Sequence, residues 1–171
     1  MKTRFIFFSI AAMVFFRGTA FAAAGAEIKP TSGDSKVSGK VVFAEVPGGL
    51  KVTADVEGAT PGEHGFHIHE NGSCEDAGKA AGSHFNPEAT THGLLIKDGL
   101  QHAHAGDLGN LEVGPDGKGH YEATVPNLTL GPGRYSIAGR SVIFHEKEDD
   151  FGQPAGNAGG RAGCGEITVN A

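Results

Sequence analysis

Glycine supplies 28 of the 171 residues and proline another 8, and between them lie short alternating runs rich in β-branched side chains. Such punctuation breaks the chain before any long helix could form, and it predicts an all-β protein with long loops. Residues 36–46 alternate, with Val37, Val41 and Phe43 at odd positions; Pro47-Gly48-Gly49 turns the chain, and residues 50–56 alternate again. That pair predicts a hairpin. Residues 63–70 form a third alternating run, followed by loop-like sequence to about residue 103. Strand character returns at 107–113, turns at Pro115-Asp116-Gly117 and continues through 120–125. Residues 126–133 read as a connection between sheets, 135–145 as a strand, 146–160 as a second polar loop and 162–170 as the last strand. A short strand near 27–29 brings the count to about eight. The predicted architecture is an eight-stranded Greek-key β-barrel or sandwich with two long loops. Loops of that length in a compact β domain are usually functional or disordered.

The amino end carries its own signal. Lys2 and Arg4 precede a mostly apolar run from Phe5 to Phe16, and Ala20-Phe21-Ala22 has the small-x-small form of a cleavage site. Residues 1–22 are therefore expected to be a secretory signal peptide, cut near Ala22 or Ala23; the run is too short for a membrane span. Residues 23–35 are expected to be loose, with the possible first strand inside them, and residues 36–171 to form the main domain. Removing residues 1–22 takes away three basic residues and no acidic one, so the net charge moves from −6 to −9. A chain so acidic, with no Lys/Arg-rich stretch, is not expected to bind nucleic acid, nor a membrane once the signal is gone. The two cysteines, Cys74 and Cys164, fit one disulfide in an oxidising compartment, against the alternative of two free thiols.

Nine histidines occur, and six fall in a spaced series with one aspartate: His67-x-His69, His84, His92, His104-x-x-Asp107 and His145. Imidazole is the commonest protein ligand for zinc and copper. On a strand, residues i and i+2 leave one face about 7 Å apart, so His67 and His69 can converge on one ion. An isolated His-x-His is more often a surface or core pair. His84, His92, His104 and Asp107 lie within 24 residues, and three nitrogens with one carboxylate make a closed set suited to structural zinc. The alternative is a solvated histidine-rich loop.

Five motifs carry a family resemblance. They are Gly65-Phe66-His67-Ile68-His69-Glu70, Gly82-Ser83-His84-Phe85-Asn86-Pro87, His104-Ala105-Gly106-Asp107-Leu108-Gly109-Asn110, Phe144-His145-Glu146-Lys147 with Asp149-Asp150, and the run from Gly156 through Arg161 to Gly165. In this order, over nearly all of the chain after the signal, they resemble copper,zinc superoxide dismutase. The resemblance implies one copper held by His67, His69, His84 and His145, and one zinc held by His84, His92, His104 and Asp107. His84 would bridge the two, and Asp149 would hydrogen-bond His67 and His92 from outside. It implies a Cys74–Cys164 disulfide tying strand and loop beside the copper, and Arg161 attracting the anionic substrate. The implied reaction is dismutation of superoxide to oxygen and hydrogen peroxide by alternate reduction and reoxidation of copper, with His84 and Arg161 as catalytic residues.

Some features depart from the family pattern. Only four residues separate His69 from Cys74, fewer than in the animal and plant enzymes, where that segment helps form the dimer. A monomer, or a homodimer with a different interface, is expected. The 146–160 loop lacks the charged stretch that guides substrate in those enzymes, and the His92–His104 stretch is longer than usual. His102 competes with His104 as a zinc ligand; His104 is preferred because it stands three before Asp107. His64 is expected to be structural and His120 to lie on the surface. Competing readings are a non-catalytic copper carrier, an immunoglobulin-like binding sandwich and a zinc hydrolase. The full ligand set with Arg161 counts against the first, zero tryptophan and 90 residues between cysteines against the second, and the lack of an HExxH segment against the third. A secreted protein, periplasmic or extracellular, is expected.

Overall fold

The computed structural model describes residues 22–170, so the expected signal peptide lies, but for Ala22, outside the described residues. Nine strands follow in order: β1 (Ala23–Pro30), β2 (Ser38–Val46), β3 (Gly49–Glu57), β4 (Gly62–His69), β5 (Asp107–Val113), β6 (Lys118–Val125), β7 (Ser141–His145), β8 (Arg161–Glu166) and β9 (Thr168–Val169). They neighbour one another as β2-β3-β6-β5-β4-β7-β8-β1, and β1 pairs back onto β2, which closes the barrel. The connections β3 to β4 and β6 to β7 jump between non-adjacent strands, which gives the Greek-key path.

Local sequence explains most of this. β2 and β3 are joined by Pro47 and Gly48, the latter at φ 97°, with Val46 facing Gly49. Along β3 the side chains of Leu50, Val52, Ala54 and Val56 turn inward while the intervening residues face out. Phe43, Phe66 and Phe144 are fully buried at the centre of the core. Each such ring stabilises the barrel by roughly 1.5–3 kcal/mol relative to exposure.

Three strand expectations change. The segment 23–35, expected to be loose apart from a short first strand near 27–29, contains that strand at a length of eight residues, pairing from Ala23↔Ala44 to Ile28↔Gly39 on β2 and with β8 on its other side. The barrel therefore starts at Ala23 rather than near residue 36; its inward residues there, Ala24, Ala26 and Ile28, are mostly too small to give a strong alternating signal. The 135–145 run is a strand only from Ser141, because the chain before it is folded into the β6–β7 connection. There the Glu45 carboxylate accepts from the Leu130 N–H at 2.9 Å and the Thr129 hydroxyl at 2.7 Å. The last strand is split at Ile167, whose N–H and carbonyl turn to Arg140 and Gly139 while β9 continues in the same register along β1.

β4 prepares the site. Phe66 and Ile68 point into the core, and His67 and His69 point out of the barrel, yet every residue from His64 to His69 is buried. The two long loops cover that outer face. The first loop holds the only helical turns among the described residues, Lys79–Ala81 and Leu95–Asp98.

Candidate metal centre

The loop after β4 doubles back on the strand it leaves. The Glu70 N–H donates to the Ser83 carbonyl and the Asn71 N–H to the Ala81 carbonyl, both at 2.9 Å, which sets His84 in an antiparallel bridge with His69. The loop returns along the same strand end: Ile68 N–H donates to Gly106 O and Gly106 N–H to Phe85 O, each at 2.9 Å. Asp107, the first residue of β5, then faces His67. β7 lies on the other side of β4 with Phe66 opposite Phe144, so His145 emerges beside the same outer face. A Cys74–Cys164 disulfide, Cα atoms 5.7 Å apart, packs with Ala81 and Ile143 in a small apolar cluster outside the barrel.

Two sets of donor atoms result, His67, His69, His84 and His145 in one, and His84, His92, His104 and Asp107 in the other. Within each set the donors lie within 4.8 Å of one another, and all seven residues, His84 being common to both sets, are buried. In the first set the His67 ring centroid is 4.2 Å from His84 and 4.9 Å from His145, and His69 is 4.9 Å from His84. In the second, Asp107 Oδ1 lies 2.7 Å from His84 Nδ1 and 3.1 Å from His104 Nδ1, the two nitrogens are 3.5 Å apart, and His92 Nδ1 is 2.9 Å from Asp107 Oδ2. Tetrahedral zinc bonds of about 2.0–2.1 Å would separate donors by roughly 3.3 Å, so this set has zinc-like spacing.

The buried nitrogens that lack hydrogen-bond partners say the same. His67 Nδ1, His69 Nε2 and both nitrogens of His145 have none, and His92 Nδ1 faces only the Asp107 carboxylate. An unpartnered buried polar atom costs about 1–3 kcal/mol, and a bound cation would take up one such nitrogen from each ring. The opposite ring nitrogens are taken. His67 Nε2 donates to Asp149 Oδ2 at 2.8 Å, His92 Nε2 to Asp149 Oδ1 at 2.9 Å, and His69 Nδ1 to the Gly82 carbonyl at 3.0 Å. Such bonds fix tautomer and ring angle and leave one nitrogen of each ring for metal. All-imidazole coordination suits copper, and the carboxylate-containing set suits zinc.

Charge differs between the two sides. Burial, with His84 nearby, pushes His67 down to about 4 despite the Asp149 carboxylate, and burial beside His67 pushes His145 down to about 3. Burial likewise lowers His69. These rings are neutral at pH 7 and ready to bind metal. His92 goes the other way: burial alone would lower it, but Asp107 and Asp149 raise it to about 9. Both carboxylates, although buried, are held well below their usual range by the surrounding histidines.

Arg161, the first residue of β8, has its guanidinium bound to the carbonyls of Gly78 and Gly82. It lines an open cleft with His69, His84, His145 and the 154–159 stretch of the second loop, and it is the sole Asp, Glu, Lys or Arg side chain on that lining. His104 rather than His102 joins the zinc-like set; His102 is exposed. His64 is buried, donates from Nδ1 to the His145 carbonyl at 2.9 Å and stacks on Phe144. His120 is exposed and pairs with Asp55.

Sequence reasoning missed three supports. Asn110 holds the backbone of Asp149 from both sides, at 2.7 and 2.9 Å. Gln153 pairs its side-chain amide with the backbone of His92, at 2.9 and 3.0 Å. Gly156, at φ 78°, leaves the space in which Asp149 Oδ1 meets His92 Nε2. Gly156 and Asn110 each stand inside a quoted motif, which marked the positions but not what they contact; Gln153 had no local signal.

The barrel and its paired ligand sets define a metalloprotein class in which two sites share one histidine. Residues 37–167 match the family model for copper/zinc superoxide dismutase. The chain is 41% identical over 148 residues to a superoxide dismutase (Cu-Zn) of Onchocerca volvulus, covering 79% of this chain and 90% of that relative. It is 35% identical over 151 residues to an extracellular superoxide dismutase (Cu-Zn) of Brugia pahangi, covering 82% and 73% respectively. The crystal structure of the clock protein EA4 has a TM-score of 0.77 and 34% identity, covering 92% of this chain and 100% of that one. This chain belongs to the copper/zinc superoxide dismutase family.

Proposed function

We propose how the side chains of this enzyme divide the work of dismuting superoxide to oxygen and hydrogen peroxide. The protein takes one copper and one zinc. Copper, when bound, supplies the one-electron chemistry, and zinc, which has none, supplies charge and order. His67, His69, His84 and His145 hold copper; His84, His92, His104 and Asp107 hold zinc. His84 offers Nδ1 beside Asp107 and leaves Nε2 for the copper set. Once protonated, that Nε2 would be the acid placed to deliver a proton to reduced dioxygen. Asp149 orients His67 and His92 together, so the two sites are set by one carboxylate.

Arg161 captures and orients the anion. Its guanidinium has five N–H donors, and after binding Gly78 and Gly82 it retains others for the cleft. The shared position of His84 in both donor sets is the observation that carries this reading. Metal analysis with a superoxide-consumption assay on the mature chain tests it. One copper and one zinc with fast consumption, lost on copper removal, is the expected result; a fully loaded but inert protein would refute it.

Residues 1–22 direct export and the protein works outside the cytoplasm, in a periplasm or the extracellular space. The Cys74–Cys164 disulfide and the extracellular Brugia pahangi relative support that placement. Either a monomer or a homodimer unlike the animal type is compatible with the short His69–Cys74 segment.

A further inference from the structure

The turn between β1 and β2, residues 31–37, contains none of the metal ligands, yet it reaches Arg161. The Thr31 hydroxyl donates to the Arg161 carbonyl, and the Thr31 N–H lies 3.3 Å from the Ala162 carbonyl. Ser35 repeats the contact one residue along: its hydroxyl donates to the Ala162 carbonyl at 2.6 Å, and the same oxygen accepts the Val37 N–H at 3.2 Å. The Thr31 methyl points onto Gly78. A β-carbon built there would stand 3.2 Å from Thr31 Cγ2 and 3.4 Å from Arg161 Cδ. Gly78 supplies one of the two carbonyls that hold the guanidinium. Thr31 therefore meets Arg161 twice, at its own backbone and at the residue that anchors its side chain.

We propose that Thr31, backed by Ser35, is a positioning residue for Arg161 and so for anion capture. The inference rests on the role given to Arg161 above. The physical need is plain. Arg161 opens its strand directly after a long loop, and the first residue of a strand has ladder support on one side only. A long side chain swings through ångströms when its backbone shifts slightly, and displacements of about 1 Å at a reacting centre can cost up to about 100-fold in rate. The Thr31 hydroxyl fixes the carbonyl from the side the ladder leaves open, while its methyl keeps Gly78 pressed against the arginine stem.

Three variants of the mature, copper- and zinc-loaded protein test this: Thr31→Val, which keeps the shape and removes the hydroxyl, Thr31→Ser, which keeps the hydroxyl, and Arg161→Ala. For each, the second-order rate constant with superoxide, the azide dissociation constant from the copper visible spectrum, metal content and melting temperature are measured. In Thr31→Val, rate and azide affinity should each fall roughly five-fold, as for one lost hydrogen bond, with metal content unchanged. Thr31→Ser should recover most of both, and Arg161→Ala should lose more than either. Wild-type rate and azide affinity in Thr31→Val beside an impaired Arg161→Ala would overturn the positioning role and leave Arg161 standing. An unimpaired Arg161→Ala would remove the arginine, and Thr31 with it. Losses in Thr31→Val that track melting temperature or metal content, with Thr31→Ser no better, would make Thr31 merely structural and also overturn the proposal.

Discussion

Asp149 is the residue that hydrogen-bonds to both sets of donors. It makes no place in either ligand set, yet its two oxygens hold His67 on one side and His92 on the other. The Phe151 N–H donates to the carboxylate at 2.8 Å, and Asn110 holds the Asp149 backbone. Replacing Asp149 with asparagine swaps a charged acceptor pair for one neutral acceptor and one donor, so the two rings, which both lie within 3.0 Å of Oδ2, are left to share a single, weaker oxygen. Loss of such an outer partner typically costs 10–100-fold in metal affinity. Asp149→Asn is expected to weaken copper retention by about that factor against a competing chelator while the barrel still folds. Gly156 offers a steric test of the same point. In Gly156→Ala the new methyl would meet Asp149 Oδ1 and His92 Nε2 at a backbone φ of 78°, which alanine disfavours. Zinc should leave this variant faster than wild type in a chelator chase; an unchanged release rate would show that Asp149 does not govern His92.

At the scale of elements, the first long loop is held to the barrel by backbone pairing to residues 68–71 and by one covalent bond. Cys74 and Cys164 are 90 residues apart, and closing a loop of that length restricts the unfolded chain by up to about 4–5 kcal/mol. The same loop carries His84 and the two carbonyls that seat Arg161. Replacing both cysteines with serine should lower the melting temperature and weaken azide binding, with the anion effect present even in molecules that keep their copper. Much of this element structure was legible beforehand. Period-two alternation located β2, β3 and β4, and the His-x-His spacing on β4 placed two imidazoles on one face because a strand cannot do otherwise. β1 was obscured because Ala24 and Ala26 fill the core without looking hydrophobic enough. The contacts of Asn110 and Gln153 were illegible for a different reason. They join residues 39 and 61 apart in sequence, and a polar side chain in a loop has no periodicity to announce its partner. The family resemblance, rather than spacing, separated copper from zinc and made His84 common to both.

For the whole molecule, charge and protonation set the behaviour. Without residues 1–22 the chain carries a net charge of −9, which repels an anion such as superoxide, and the cleft answers with one cation, Arg161. Adding a second, as in Ala155→Lys on the exposed rim, should raise the superoxide rate constant several-fold at low salt and make it more sensitive to ionic strength, the signature of steering. The metal-free protein should respond to pH in two directions. His67 at about 4 and His145 at about 3 stay neutral in the fold, whereas in the unfolded chain they take up protons near 6.5. Below 6.5 the unfolded state binds more protons, so stability falls as pH drops toward 4. His92, raised to about 9, binds its proton more tightly in the fold; that contribution is complete below 6.5 and is lost as pH rises to 9. Urea melts of metal-free protein should therefore give a midpoint that is highest near pH 6.5 and declines on both sides, and a flat profile from 4 to 9 would contradict these shifts.

We place one imidazole, His84, between two different ions. Anomalous diffraction from crystals of the loaded protein, collected at the copper and zinc absorption edges, locates each ion directly. The expected result is a copper peak among His67, His69, His84 and His145 and a zinc peak among His84, His92, His104 and Asp107, with the His84 ring separating them. A zinc peak in its cage while copper sits beyond the reach of His84, or a single ion serving both sets, would contradict it.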